Sequence, residues 1–134
     1  MNILQEKFSK PTGEIPKLPV ELPLNKLGDL TLLENFLRGC ENNLSSLVLY
    51  LTTIGGKDPT SKTNRILKFF ITDELASYFS YLGKRNKRPF CGLHLNDVII
   101  RAVKKSVGNI SSADVEEVIK IWLKHAPQRC AKKK

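Results

Sequence analysis

No stretch of this chain approaches the roughly 18 consecutive apolar residues of a membrane-spanning helix, and its start lacks the basic-then-apolar pattern of a signal peptide. A soluble intracellular protein is the expectation, with no membrane partner. Cysteine is scarce: Cys40, Cys91 and Cys130 are odd in number and far apart, which argues against a disulfide framework and suits reduced thiols. Histidine is scarcer still. Cys91 and His94 form a close pair, but Cys40, His125 and Cys130 show no paired spacing to complete the four ligands of a structural zinc, so no metal is expected. His125, near a helix end, reads as a dipole partner. The same scatter forms no nucleophile–base motif. Paired carboxylates occur only as Asp73-Glu74 and Glu116-Glu117, where a first helical turn uses acids against its dipole. Gly55-Gly56-Lys57 and Gly83-Lys84 lack the spacing and the preceding strand of a phosphate-binding loop, and Gly55 reads instead as a left-handed helix stop. Neither an enzyme nor a cofactor is expected.

Acid is the other shortage. Lys and Arg number 22 against 13 Asp and Glu, for a formal net charge of +9 and an isoelectric point near 9.6, so the molecular field favours polyanions. The imbalance is local. Between Gly83 and Lys105 the only acid is Asp97, against Lys84, Arg85, Lys87 and Arg88 in one loop and Arg101, Lys104 and Lys105 at i, i+3 and i+4 of a predicted helix. After the last acid, Glu117, come Lys120, Lys124, Arg129, Lys132, Lys133 and Lys134. A charge run is often just a solvated face, but three of one sign in a domain this small could join into a strip that tracks phosphates.

Period-two alternation is also missing, whereas helical periodicity is strong. Pro11, Pro16, Pro19 and Pro23 interrupt any element over residues 1 to about 25, which reads as a flexible proline-containing arm before a domain at 26–130 and a basic tail at 131–134. Leu30, Leu33 and Leu37 share a face, with Asp29 or Thr31 as cap and Gly39 at the end. A second helix is predicted from about 42 to 54 on Leu44, Leu47, Val48 and Leu51. Asp58-Pro59 opens a third through Ile66, Leu67, Phe69 and Phe70, and Thr72 caps a short fourth that ends near Leu82. Asn96 or Asp97 opens a fifth that Gly108 stops. Ser111 to Asp114 has capping-box spacing before the stripe Val115, Val118, Ile119, Trp122 and Leu123, with Pro127 closing this last helix. The fold class that follows is all-α, a compact bundle of five or six short helices around Trp122 and the phenylalanines.

Several short motifs in this order carry a resemblance. Ile66-Leu67-Lys68-Phe69-Phe70-Ile71-Thr72-Asp73-Glu74-Leu75-Ala76, then Gly83-Lys84, Phe90, Leu93-His94-Leu95-Asn96-Asp97-Val98-Ile99 and Gln128-Arg129-Cys130 resemble the BEN domain. With Ile54-Gly55-Gly56-Lys57-Asp58 and Trp122-Leu123-Lys124-His125-Ala126-Pro127-Gln128-Arg129, the chain is more similar still to an invertebrate family that is sometimes transposon-associated. The resemblance spans about residues 44 to 130 and implies a helical, DNA-binding, commonly dimeric module of chromatin and transcriptional regulators, hence a nuclear location. By position it implies DNA contacts from Lys120, Lys124, His125, Gln128 and Arg129. The chain departs from that pattern at Ala126-Pro127, where proline replaces continued helix.

The expected function is therefore a duplex-DNA-binding domain of a nuclear chromatin or transcription-associated protein. In it Lys84, Arg85, Lys87, Arg88, Arg101, Lys104 and Lys105 hold phosphates while Lys120, Lys124, His125, Gln128 and Arg129 approach a groove. The alternative is a protein-interaction or homodimerisation module without DNA specificity, with chromatin proteins as possible partners; only Phe90 interleaves the basic loop, so RNA ranks below both. Elemental analysis of the reduced protein should find no stoichiometric zinc, and a thiol reagent should titrate all of Cys40, Cys91 and Cys130 after denaturation.

Overall fold

The apolar stripes of the sequence become the inner faces of short helices in the computed structural model, which describes residues 17–132. In chain order these are α1 (Leu27–Gly39), α2 (Glu41–Leu51), α3 (Pro59–Phe70), α4 (Asp73–Ala76), α5 (His94–Val107), α6 (Ser112–Lys124) and α7 (Ala126–Lys132). Two-residue strands, β1 (Phe79–Ser80) and β2 (Arg88–Pro89), pair in parallel between α4 and α5. The all-α reading is correct. α5 sits at the centre, packed on α1, α2, α3 and α6, while α3 also packs on α6 and α4 on α7. Phe70, Leu75, Phe90, Leu95, Ile99, Ile119 and Leu123 are fully buried, and Trp122 is nearly so.

Local chemistry explains several helix ends. Asp58 accepts from the Ser61 N–H at 2.7 Å and Pro59 occupies the first turn of α3. That hydrogen bond to Ser61 is the main reason the Asp58 carboxyl lies below its ordinary pKa. Thr72 accepts from Leu75 N–H at 3.1 Å, and Ser111 and Asp114 form the reciprocal capping box. Gly108, at φ 91°, ends α5.

Elsewhere the structure corrects the sequence reading. α4 stops at Ala76 and not near Leu82, because Phe79 and Tyr81 are both buried, and residues two apart share a face only in extended backbone. Pro127 does not close the last helix; it lies in the first turn of α7, where a missing N–H breaks no helical bond. α5 begins at His94, with Asn96 buried inside it. α1 begins at Leu27 without a side-chain cap on Lys26, and Thr31 instead donates to Leu27 O. The arm is shorter than expected: Leu24 is fully buried, its N–H donates to Phe70 O at 2.6 Å and its carbonyl accepts from Thr72 N–H at 3.0 Å. The rest of the expected arm, 1–16, lies outside the described residues, as do Lys133 and Lys134 of the tail.

Gly55 is not left-handed, for the positive-φ glycines among the described residues are Gly83 and Gly108. Its neighbour is the constrained one: a Cβ on Gly56 would stand 2.6 Å from the Lys62 Cα. That close approach brings the buried Lys62 ammonium to the end of α2, where it donates to Thr52 O at 3.1 Å and to Ile54 O. Burial pushes the Lys62 pKa below the ordinary lysine value. The segment Ile54-Gly55-Gly56-Lys57-Asp58 thus joins two helices, with a lysine closing one and an aspartate opening the next. Lys62→Met should leave the two carbonyls unpaired and lower the unfolding free energy by about 2 to 4 kcal/mol in urea titration. Gly56→Ala should destabilise comparably, and Gly55→Ala, whose Cβ would meet only Arg65 Nη1 at an ordinary 3.7 Å, much less.

Candidate nucleic-acid interface

The basic loop owes its shape to short-range backbone constraints. Arg88 N–H donates to Tyr78 O at 3.0 Å and Phe90 N–H to Ser80 O at 2.9 Å, so the chain must return within a few residues to run beside itself. It does so with positive φ at Gly83, Arg85 and Asn86. Lys87 N–H donates to Lys84 O at 3.1 Å around Arg85 and Asn86, the pattern of a type I′ turn, and Lys84 N–H donates to Ser80 Oγ at 2.8 Å. Left-handed arginine costs on the order of 1 kcal/mol, and such strain tends to gather at functional sites. Gly83 cannot carry a side chain without crowding, since a Cβ would stand 3.0 Å from Pro89 Cβ and Cδ. Both ends of the loop meet at Asn96, whose Nδ2 donates to Tyr81 Oη at 3.2 Å and reaches Cys91 O at 3.5 Å. Burial raises the Tyr81 phenol above its ordinary pKa, so it stays neutral.

So held, Lys84, Arg85 and Lys87 face α6. Val115, Ile119, Trp122 and Leu123 turn inward from that helix, which leaves Lys120 and Lys124, four residues apart, on its exposed side. The five cations line one cleft of about 310 Å³ whose remaining walls are Phe79, Ser80 and Tyr81, and no carboxylate lines it. Lys120 has an acidic neighbour, Glu117 at 3.8 Å, but both side chains are more than half exposed and such a pair contributes little. The arrangement suits a multiply charged anion that supplies what the cleft lacks.

The other predicted residues divide differently. Arg101, Lys104 and Lys105 line a separate cleft with Ser45 and Val48, between α2 and α5. Arg101 there pairs with Asp97 at 3.1 Å and Glu41 at 3.5 Å, while Lys104 donates to Ser112 Oγ at 3.1 Å. Arg88 points to a third depression, beside α1. The basic regions therefore do not share one cleft; two meet and the α5 trio stands apart. His125 and Gln128 are exposed, with His125 Nδ1 3.2 Å from Gln128 Oε1.

Arg129 is not a free groove reader. Its Nε donates to Asp73 Oδ1 at 2.9 Å, its Nη1 to Trp122 O at 2.9 Å, and its guanidinium lies 4.2 Å above the Trp122 ring. The side chain is 26% exposed and that of Asp73 8%. A partner 56 residues away could not be read from spacing. Phe79, Ser80 and Tyr81 are cleft residues that the sequence reading missed, although two aromatics at i, i+2 beside a basic loop were the available signal. Among the described residues no three of His, Cys, Asp and Glu cluster as metal ligands, and no helix is long and apolar enough to cross a membrane.

Fold and cleft together define a small helical domain with a basic, acid-free recess. Residues 17–102 match the model of a protein family described as a domain of unknown function, DUF4806, and the chain belongs to that family. The match runs from before α1 into α5 and ends ahead of α6, so the loop half of the cleft lies within it and Lys120 and Lys124 beyond it. No curated protein and no solved structure matches the chain significantly.

Arg129→Ala should lower stability by about 2 kcal/mol, a figure discounted for the partial exposure of the guanidinium, while Gln128→Ala leaves it within about 0.5 kcal/mol. Gly83→Ala should cost about 1 to 3 kcal/mol because its backbone is left-handed and crowded. Denaturant unfolding measures all three.

Proposed function

We propose that this domain binds duplex DNA by its phosphate backbone, with the cleft between the 84–87 turn and α6 as the principal contact. The observation that carries the reading is the convergence of Lys84, Arg85, Lys87, Lys120 and Lys124, from two segments far apart in sequence, on one recess without a carboxylate. Clustered like charge destabilises the free domain, and phosphate both relieves the repulsion and releases its own condensed counterions. The resemblance to BEN domains agrees with this and suggests a nuclear chromatin or transcription-associated setting. Lys104, Lys105 and Arg88, which form no ion pair among the described residues, are secondary contacts on flanking faces. His125 and Gln128 remain the exposed candidates for reading bases beside α6.

An interaction or homodimerisation module is the weaker alternative. α1 buries Leu30, Leu33 and Leu37 within its own chain, and its outward leucine is Leu32, 50% exposed. One leucine is a small basis for a dimer contact.

Electrophoretic shift and fluorescence anisotropy on duplex oligonucleotides test the proposal. With five contacts, log affinity should fall against log salt with a slope of about −4 to −5. Lys84→Ala with Lys87→Ala, and separately Lys120→Ala with Lys124→Ala, should each reduce the slope by about 2 and weaken all sequences alike. Gln128→Ala should instead change the ranking of sequences. Absence of duplex affinity at low salt, where the electrostatic contribution is largest, would reject DNA binding.

A further inference from the structure

The depression beside α1 is lined by Arg88 and Pro89 of β2 but by none of the cations of the basic turn. It is a groove of about 630 Å³ between α1 and the 88–93 segment. Its apolar lining comes from Leu27, Leu30, Phe79, Pro89 and Leu93, and its charged lining from Arg38, Arg88 and Glu34. The charges are unequal in availability. Glu34 is committed to the first turn of α5, its Oε1 accepting from His94 N–H at 2.8 Å and its Oε2 from Leu95 N–H at 2.9 Å, with His94 Nδ1 3.3 Å away. Arg38 donates to the neutral amide of Asn35, and neither Arg38 nor Arg88 has a carboxylate partner among the described residues. An apolar floor is thus flanked by two uncompensated guanidiniums, each with a fork suited to a carboxylate.

We propose that this groove binds an acidic peptide segment of a partner protein, in which one or more large apolar side chains lie on the floor and flanking carboxylates meet Arg38 and Arg88. Charge complementarity selects this occupant: a nucleic acid would leave the floor unused, and a second copy of this chain, at +9, would bring like charge to both arginines. Strand addition along β2 is disfavoured, because Pro89 has no N–H to offer an incoming strand. The partner therefore docks by side chains into the groove. Arg88 is also a flanking DNA contact and Phe79 lines both recesses, but Gly28, Glu34 and Arg38 belong to the groove and not to the basic cleft, so a change at Gly28 tests the groove separately.

Gly28 and Gly92 both line the groove, and a Cβ added to either meets nothing within 4 Å. Gly28 lies within α1 and its added Cβ is free of contact, so Gly28→Leu starts a bulky side chain in the groove, and circular dichroism checks that the variant folds. The test is selection of a phage-displayed random peptide library on the immobilised full chain. Synthetic fluorescein-labelled versions of the enriched peptides are then measured by anisotropy against the unmodified protein, Arg38→Glu, Arg88→Glu and Gly28→Leu, with far-ultraviolet circular dichroism to verify folding. Enriched peptides should place Asp or Glu beside Leu, Phe or Trp. Each charge reversal and the leucine block should weaken their binding at least about tenfold, and Lys in place of the acids should abolish it. The duplex affinity of Gly28→Leu, measured in parallel, should equal that of the unmodified protein, so failure of the groove and failure of the DNA reading are separable. No enrichment, enrichment without the acidic–apolar pattern, equal binding of polyaspartate, or binding indifferent to Gly28→Leu in a folded variant would each overturn the proposal. A dimer in light scattering that reverts to monomer in Gly28→Leu would overturn it in favour of self-association.

Discussion

Closing the ends of short helices is the constraint on which this structure depends. Each helix leaves its first four N–H and last four C=O groups without intrahelical partners, so helices of 11 to 14 residues expose a large share of their backbone polar groups at their ends. Several of those ends are closed by side chains from elsewhere in the chain. The Glu34 carboxylate, 60 residues away, accepts both leading N–H groups of α5. The Lys62 ammonium reaches the end of α2 from α3, Asn43 Nδ2 donates to Phe36 O at 3.0 Å at the end of α1, and the Arg129 guanidinium donates to Trp122 O near the end of α6. Each such bond is also a tertiary bond. Because an unpaired buried polar group costs about 1 to 3 kcal/mol, the helices and their mutual packing stand or fall together.

The same constraint shapes the recognition surfaces. Glu34 lies in the α1 groove yet leaves no free charge there, because the helix N-terminus takes both of its oxygens, and the groove becomes net basic although an acid lines it. Arg129, basic and placed beside α6, is withdrawn from the surface by Asp73 and the Trp122 ring. Which of the many lysines and arginines can meet an outside anion is therefore decided by which are already used inside. The cleft beside α6 keeps its five cations because no carboxylate lines it and the exposed Glu117 pairs only with Lys120, at 3.8 Å.

Much of this was legible from local rules. Helix caps act within three or four residues, so Asp58-Pro59, Thr72, the Ser111–Asp114 box and Gly108 could be placed before any fold was known. The buried stripes of α1, α2, α5 and α6 were legible for the same reason, periodicity being a local property. Where local reading failed, a distant contact had overridden it. Phe79 and Tyr81 are drawn out of helix by burial against Phe90 and Asn96, and Leu24 is taken from the arm into the core by pairing with residues 70 and 72. Pro127 misled because the same residue that stops one helix is favoured in the first turn of the next.

The sequence by itself determined the helical class, the locally capped helix ends and the excess of positive charge, since propensity, capping and net charge need no knowledge of which segments meet. Only the tertiary structure decided how that charge is distributed. Ion pairs at 2.9 to 3.5 Å join residues as far apart as Asp73 and Arg129, and clefts form where segments as separate as the 84–87 turn and Lys120 converge. Electrostatic interaction depends on distance in space and on burial, neither of which is a function of position along the chain.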